Sequence, residues 1–267
     1  MPALATNCAP MAAEGRATTQ DAVLGGRLTL RQPRSGHRIG HDAILLAAAT
    51  DARPGERAAE LGAGVGAAGL ALARRVDGLT VTLVEIDPGL AELAAENAAR
   101  NGLADRVRVA TLDVGAPARD WTAAGLGPGS VTRVLMNPPF NDAARQKASP
   151  DAGRRLAHAA SADTLMQWVG RARWLLAPSA TLTLIWRADG LAGVLAALES
   201  AFGGVAVLPI YPRPGTAAIR VLVSAVKGSS APLALLPGLT LSTANGRPSV
   251  EAEAVLRDGA MLRPVGT

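Results

Sequence analysis

Cysteine is nearly absent: Cys8 is the single one in 267 residues. That excludes an internal disulfide framework and a four-cysteine zinc site. Aromatic residues make up only 3 % of the chain, and Tyr211 is its one tyrosine. Lysine occurs only at Lys147 and Lys227, so no Tyr-x-x-x-Lys pair for hydride chemistry can be drawn. Of the three histidines, His37 and His41 lie close together, but no cysteine or third histidine is near them, and no metal is expected. A run of about 18 unbroken apolar residues, the minimum for a membrane-spanning helix, is also missing. The first 20 residues lack the apolar centre of a secretory signal and mix Pro, Ala, Thr and Asn without periodicity. Residues 1–25 are therefore expected to be a disordered tail, and residues 26–267 one domain of a soluble, cytoplasmic protein.

Apolar residues reach 49 %, with 29 glycines, and the small side chains among them suit helices packed closely on a sheet. The balance of 27 basic against 22 acidic side chains, net +5, permits a polyanionic partner without demanding one. Almost all the positive charge is arginine. The guanidinium group suits bidentate phosphate contacts, although a coding bias would give the same excess.

Strand and helix patterns alternate, which predicts a parallel sheet covered by helices on both faces. Strands are expected at residues 57–61, 80–85, 106–110, 131–136, 180–186, 205–210 and 219–226. Helices are expected at 42–50, 67–76, 88–100, 164–176 and 191–201. Asp87 is placed to cap the third of these, with Pro88 in its first turn and Gly102 just past its end. The prolines and glycine of residues 211–215 form a turn that lets the last strand run back antiparallel. An edge strand at 239–243 and a short helix at 250–256 complete the reading.

Between the first strand and its helix runs Glu60-Leu61-Gly62-Ala63-Gly64-Val65-Gly66. Alternating glycines let the backbone turn tightly and approach a ligand, and the following helix points free N–H groups at it. About twenty residues on, Glu85 ends the next strand, where a carboxylate can take both hydroxyls of a ribose. This arrangement serves dinucleotides and S-adenosylmethionine alike; Gly64, Gly66 and Gly69 even keep the dinucleotide spacing. Glu60 separates the two. A pyrophosphate would be repelled by a carboxylate beside it, whereas the ammonium and sulfonium of S-adenosylmethionine would be attracted. Asp113, after the third strand, is placed to accept from an adenine amino group.

Asn137-Pro138-Pro139-Phe140 follows the fourth strand. Two prolines fix the backbone and remove its donors, so the loop presents oxygens. An exocyclic amine of a purine, or an amide, is a poor nucleophile because its lone pair is delocalised. The Asn137 side-chain oxygen and the Pro138 carbonyl can hold its two hydrogens and stabilise the charge that develops as a methyl group arrives. Phe140 can stack on a flat target.

With these residues the chain resembles the class I methyltransferases that carry an Asn-Pro-Pro-aromatic motif. Among them it is most similar to the bacterial valine-tRNA adenine-N6 methyltransferases, which modify the adenine next to the anticodon. The resemblance runs from about Leu28 to near the C-terminus and includes the segment from Gly36 to Leu46. It implies a Rossmann-like fold: a seven-stranded, mostly parallel sheet with an antiparallel final strand. It also implies S-adenosylmethionine as cofactor. By resemblance Gly40, His41 and Asp42 lie near the methionine end of the donor, and Glu60, Gly62 and Gly64 line its body. Glu85 then binds the ribose and Asp113 the adenine. Asn137, Pro138, Pro139 and Phe140 hold the target amine, with Asn137 bordering the donor as well.

A basic group follows the loop: Arg145, Lys147, Arg154 and Arg155, with His158. Together with Arg38 it could hold tRNA phosphates; a solvated loop and helix start is the plainer reading. The partner expected is tRNA, taken up by a monomer or weak dimer. Many relatives have tyrosine at the Phe140 position, and phenylalanine is found in those that methylate guanine N2 of ribosomal RNA. Guanine N2, a protein glutamine amide, and a nicotinamide oxidoreductase built on the same glycine loop are the alternatives.

Overall fold

Short apolar strands alternating with alanine-rich helices build one large sheet, covered on both faces. The computed structural model describes residues 17–35, 39–139 and 150–262, with backbone alone for 150–162. The order is β1 (Thr18–Val23), β2 (Leu28–Pro33), α1 (His41–Ala49), β3 (Arg57–Leu61), α2 (Ala67–Arg75), β4 (Thr80–Glu85), α3 (Pro88–Arg100), β5 (Val107–Thr111), α4 (Ala118–Ala123) and β6 (Val131–Met136). Then follow α5 (Pro150–Leu175), β7 (Leu176–Arg187), α6 (Leu191–Leu198), β8 (Phe202–Tyr211), β9 (Arg220–Lys227), β10 (Ala234–Leu235), β11 (Leu239–Thr240) and α7 (Val250–Leu256).

The strands lie in the order β10-β8-β9-β7-β6-β3-β4-β5, with β11 also on β8. β7, β6, β3, β4 and β5 pair parallel, and β9 runs antiparallel between β7 and β8. This is the fold expected, with a different strand count: the sheet has nine strands rather than seven. Beyond the seven lie β10 and β11, each of two residues and each parallel to β8; β11 falls in the edge strand expected at 239–243, while β10 was not anticipated.

One hydrophobic cluster fills each face. Ala58, Val81 and Leu83 meet Leu45, Leu46, Leu70 and Leu72 on the first. Ala59, Leu61, Val84, Val134 and Met136 meet Trp121, Leu165, Trp168 and Val194 on the second. Alanines let α2 approach the sheet so closely that a Cβ at Gly69 would lie 2.3 Å from Leu83 Cδ2. Asp87 caps α3 as expected, accepting from Gly89 N–H at 2.8 Å and Leu90 N–H at 3.2 Å, with Pro88 in the first turn.

Three expectations are corrected. Residues 18–25 are not part of a tail: β1 pairs with β2 from Thr18↔Pro33 to Val23↔Leu28. Its polar sequence hid the strand, which is held by cross-strand side chains. Gln32 donates to Asp21 at 2.6 Å and Arg31 to Thr18 Oγ1 at 3.1 Å. Next, α5 begins at Pro150, not at 164, because its first half has few large apolar residues at helical spacing. Finally, α4 was not anticipated; it is six residues long and anchored by the fully buried Trp121. No helix among the described residues is long and apolar enough to cross a membrane.

Candidate active site

Parallel pairing brings the carboxyl ends of four strands to one rim, the place where open α/β sheets bind ligands. Leu61 pairs with Met136, so the glycine loop and Asn137 leave the sheet side by side. Glu85 pairs with Thr111, which places Asp113 two residues beyond the same edge.

The glycine loop needs its glycines. Gly62, Gly64 and Gly66 have φ of 68°, 57° and 86°, in the left-handed region. A Cβ on Gly62 would lie 2.4 Å from the Trp168 ring of α5, whereas one on Gly64 would meet nothing within 4 Å. Gly62 therefore serves packing and Gly64 opens onto free space. Gly62→Ala is expected to lower stability by about 1–3 kcal/mol through overpacking and the unfavourable φ. Thermal denaturation checks this, and an unchanged Tm would show that Trp168 can withdraw freely.

Two carboxyl groups flank the loop, and both are buried. Glu85 Oε2 accepts from Gly64 N–H at 2.7 Å and Oε1 from Asp87 N–H at 2.9 Å. Glu85 thereby fixes the turn while its carboxylate stays at the rim. Glu60 lies deeper, 5 % exposed, and Oε2 accepts from Gly69 N–H at 2.7 Å. That N–H belongs to the first turn of α2, which has no partner within the helix, and the cap residue Gly66 has no side chain to supply one. Burial pushes the Glu60 pKa up to about 8; the Gly69 bond lowers it and the neighbouring Glu85 charge raises it further.

Asp113 is exposed, and its Oδ1 accepts from Gly115 N–H at 2.8 Å in a tight turn. Gly40 and His41 form the start of α1 and border a groove of about 820 Å³ shared with Leu24, Leu241 and Leu256. Asp42 is held by Arg220 of β9 at 2.9 Å. Asn137 continues β6 with its Oδ1 buried and without a hydrogen-bond partner among the described residues; Pro138 is buried and Pro139 exposed. Gly36, His37, Arg38, Phe140, Arg145 and Lys147 lie outside the described residues. Arg154, Arg155 and His158 fall in the part of α5 whose side chains are likewise outside them.

The sequence reading missed Ile86, which is 61 % exposed directly after Glu85. An apolar residue following a strand-ending acid was the available signal. It also missed Arg171 and Arg220, whose contacts are remote in sequence and leave no local signal; Trp168 packs in the core.

A bound nucleoside fits what is present: free space over Gly64, an exposed apolar face at Ile86, rim carboxylates at Glu85 and Asp113, and an unpaired acceptor at Asn137. The sequence profile of the methyltransferase small domain matches residues 35–209. A predicted O-methyltransferase of Agrobacterium tumefaciens is similar in structure, with 30 % identity and a TM-score of 0.70, covering 84 % of this chain and all of that one. A tRNA1(Val) (adenine(37)-N6)-methyltransferase of Porphyromonas gingivalis is 31 % identical over 170 residues, covering 62 % of this chain and 64 % of its own length. The corresponding protein of Dickeya chrysanthemi is 28 % identical over 202 residues, covering 73 % and 75 %. The glycine loop, the strand-ending acids and the Asn-Pro-Pro turn all fall inside the matched span, and the chain belongs to the methyltransferase small domain family.

Proposed function

We propose that this protein transfers the methyl group of S-adenosylmethionine to the exocyclic N6 amine of an adenine in tRNA, the adenine next to the anticodon of valine tRNA. The observation that carries this reading is the Asn137 Oδ1, a buried acceptor without a partner among the described residues, beside the glycine loop. Buried polar groups are almost always paired, and an orphan costs about 1–3 kcal/mol. An incoming N–H would pair it.

The donor, when bound, supplies an electrophilic methyl on a positively charged sulfur. Glu85 receives the ribose hydroxyls, Ile86 and Asp113 receive the adenine, and the buried Glu60 favours the cationic end by giving up its proton as the donor binds. Gly40, His41 and Asp42 border that end. Asn137 Oδ1 and the Pro138 carbonyl accept the two amine hydrogens, turning the nitrogen lone pair toward the methyl group. With the donor bound, the nitrogen lone pair would take the methyl group while the S–C electron pair stayed on sulfur. The positive charge on nitrogen is stabilised by the two oxygens until a proton departs to solvent. The relatives named as adenine-N6 methyltransferases support this acceptor. Phe140 stacks on the base, and Arg38, Arg145, Lys147, Arg154 and Arg155 meet tRNA phosphates. The protein acts in the cytoplasm as a monomer or weak dimer.

A hydroxyl acceptor, as the name of the Agrobacterium neighbour describes for that protein, would use only one of the two oxygens and would need a base for its proton. Asn137 is not a base, so the amine is preferred.

The test is methyl transfer from labelled donor to total tRNA and ribosomal RNA taken from a strain lacking the gene, followed by nucleoside mass spectrometry. N6-methyladenosine in tRNA is the expected product. N2-methylguanosine in ribosomal RNA would keep the chemistry and replace the substrate.

A further inference from the structure

The turn that presents Asp113 has two backbone carbonyls directed at a single side chain. Arg171, on α5, donates from Nε to the Val114 oxygen at 3.1 Å and from its terminal nitrogen to the Ala116 oxygen at 2.6 Å. The guanidinium carbon lies over two rings at once, 4.8 Å from the Trp121 centroid and 5.2 Å from that of Trp174. Within the turn, Ala116 N–H donates to the Asp113 carbonyl at 2.9 Å and Gly115 N–H to Asp113 Oδ1 at 2.8 Å. At its start, Leu112 N–H donates to the Glu85 carbonyl at 2.8 Å. One helical turn before Arg171, Gln167 presses on the same place: a Cβ at Gly115 would lie 2.7 Å from its Nε2.

We propose that Arg171 is a positioning residue for the adenine end of the methyl donor, acting by holding the Asp113–Ala116 turn against α5. This rests on the assignment of Asp113 to the donor adenine.

Both carbonyls are met by one guanidinium, and a planar fork stacked on an aromatic ring reaches two acceptors in a way a lysine ammonium does not. Burial lowers the Arg171 pKa from its ordinary value, as expected for a guanidinium drawn in to serve those oxygens. Trp121 fits the same role. It is fully buried, yet its Nε1–H has no partner among the described residues. A phenylalanine would pack there without stranding a donor, so the indole is accounted for by the face it offers the guanidinium, where tryptophan is the strongest ring. Meanwhile Trp168, three residues before Arg171, packs on Gly62. One stretch of α5 therefore touches both the glycine loop and the adenine turn.

The experiment measures S-adenosylhomocysteine affinity by calorimetry, together with donor KM, kcat and Tm, for wild type, Arg171→Lys, Arg171→Gln, Asp113→Ala and the Arg171→Gln/Asp113→Ala double variant. Arg171→Lys and Arg171→Gln are expected to raise donor Kd and KM about 10-fold, with kcat at saturating donor within threefold of wild type. In the Asp113→Ala background the Arg171→Gln loss should shrink to under twofold, because the group that Arg171 positions is gone. Rescue of Arg171→Gln affinity by millimolar ethylguanidine is expected as well. Losses that simply add in the double variant, or wild-type donor KM in Arg171→Lys and Arg171→Gln, would overturn the role of Arg171. Should the lysine and glutamine variants both lower Tm severely, a parallel loss in kcat and affinity would likewise overturn it. Wild-type protein with no affinity for S-adenosylhomocysteine would overturn the donor reading itself, and this proposal with it.

Discussion

Asn137→Ala is expected to reduce kcat about 100- to 1,000-fold, the usual loss when one preorganised partner of a developing charge is removed. Donor affinity should stay within twofold, because Asn137 only borders the donor while its Oδ1 engages the acceptor amine. Stability separates this prediction from ordinary core damage. Most truncations near a core destabilise, but Asn137 Oδ1 is already buried and unpaired. Removing it relieves a desolvation penalty and should leave Tm unchanged or higher. Single-turnover kinetics, donor titration and calorimetric melting measure the three quantities. A kcat within threefold of wild type, or a loss that follows donor Kd, would remove Asn137 from the chemistry.

The second large effect is a pH dependence centred on Glu60. Its folded pKa is about 8 against an ordinary 4.5. Between these values the folded protein keeps a proton that the unfolded chain has released. Stability is thus complete below about pH 4.5 and declines as pH rises toward 8, by up to about 5 kcal/mol at 1.36 kcal/mol per pH unit. Glu60→Gln carries no titrating proton, so it should flatten this slope and be the more stable protein at pH 8.5. A donor cation shifts the same equilibrium the other way. Donor binding at pH 7 should release a proton, visible as a binding enthalpy that varies with the ionisation heat of the buffer, and affinity should rise toward pH 8. Glu60→Gln should show neither effect. Melting curves from pH 5 to 9 that are parallel for the two proteins would show that Glu60 does not titrate in this window.

The frame of the molecule was readable because its signals are local. The strands 57–61, 80–85 and 131–136 are bounded by turns and glycines, and the α3 cap sits in consecutive residues from Asp87 to Leu90. The glycine loop and the Asn-Pro-Pro turn were readable for the same reason, since fixed φ and missing donors are properties of the residues themselves. What escaped depends on tertiary contact. Trp168 meets Gly62 across more than a hundred residues, Arg220 reaches Asp42, and Arg171 grips a turn on another strand. Glu60 shows the difference within one residue. Its place before the loop could be read, but its depth under α2 and its bond to Gly69 could not. In the β1–β2 hairpin, β1 escaped because its polar residues carry little hydrophobic alternation and the side chains that hold it lie on β2, whose own alternation is confined to the short run from Leu28 to Arg31.

The short strands at the margin of the sheet bear on how copies of this protein meet one another. Bare strand edges recruit further strands, and β8, ten residues long, would be a ready template. It is covered instead by two fragments, at Ala206 and Val207 and again at Ile210 and Tyr211. The gap between them falls at Leu208 and Pro209, and Pro209 has no N–H to offer a ladder. At the opposite margin β5 is only five residues long and carries the exposed Arg108 as its second residue. Neither border of the large sheet favours fibrous stacking or dimers formed by extending it.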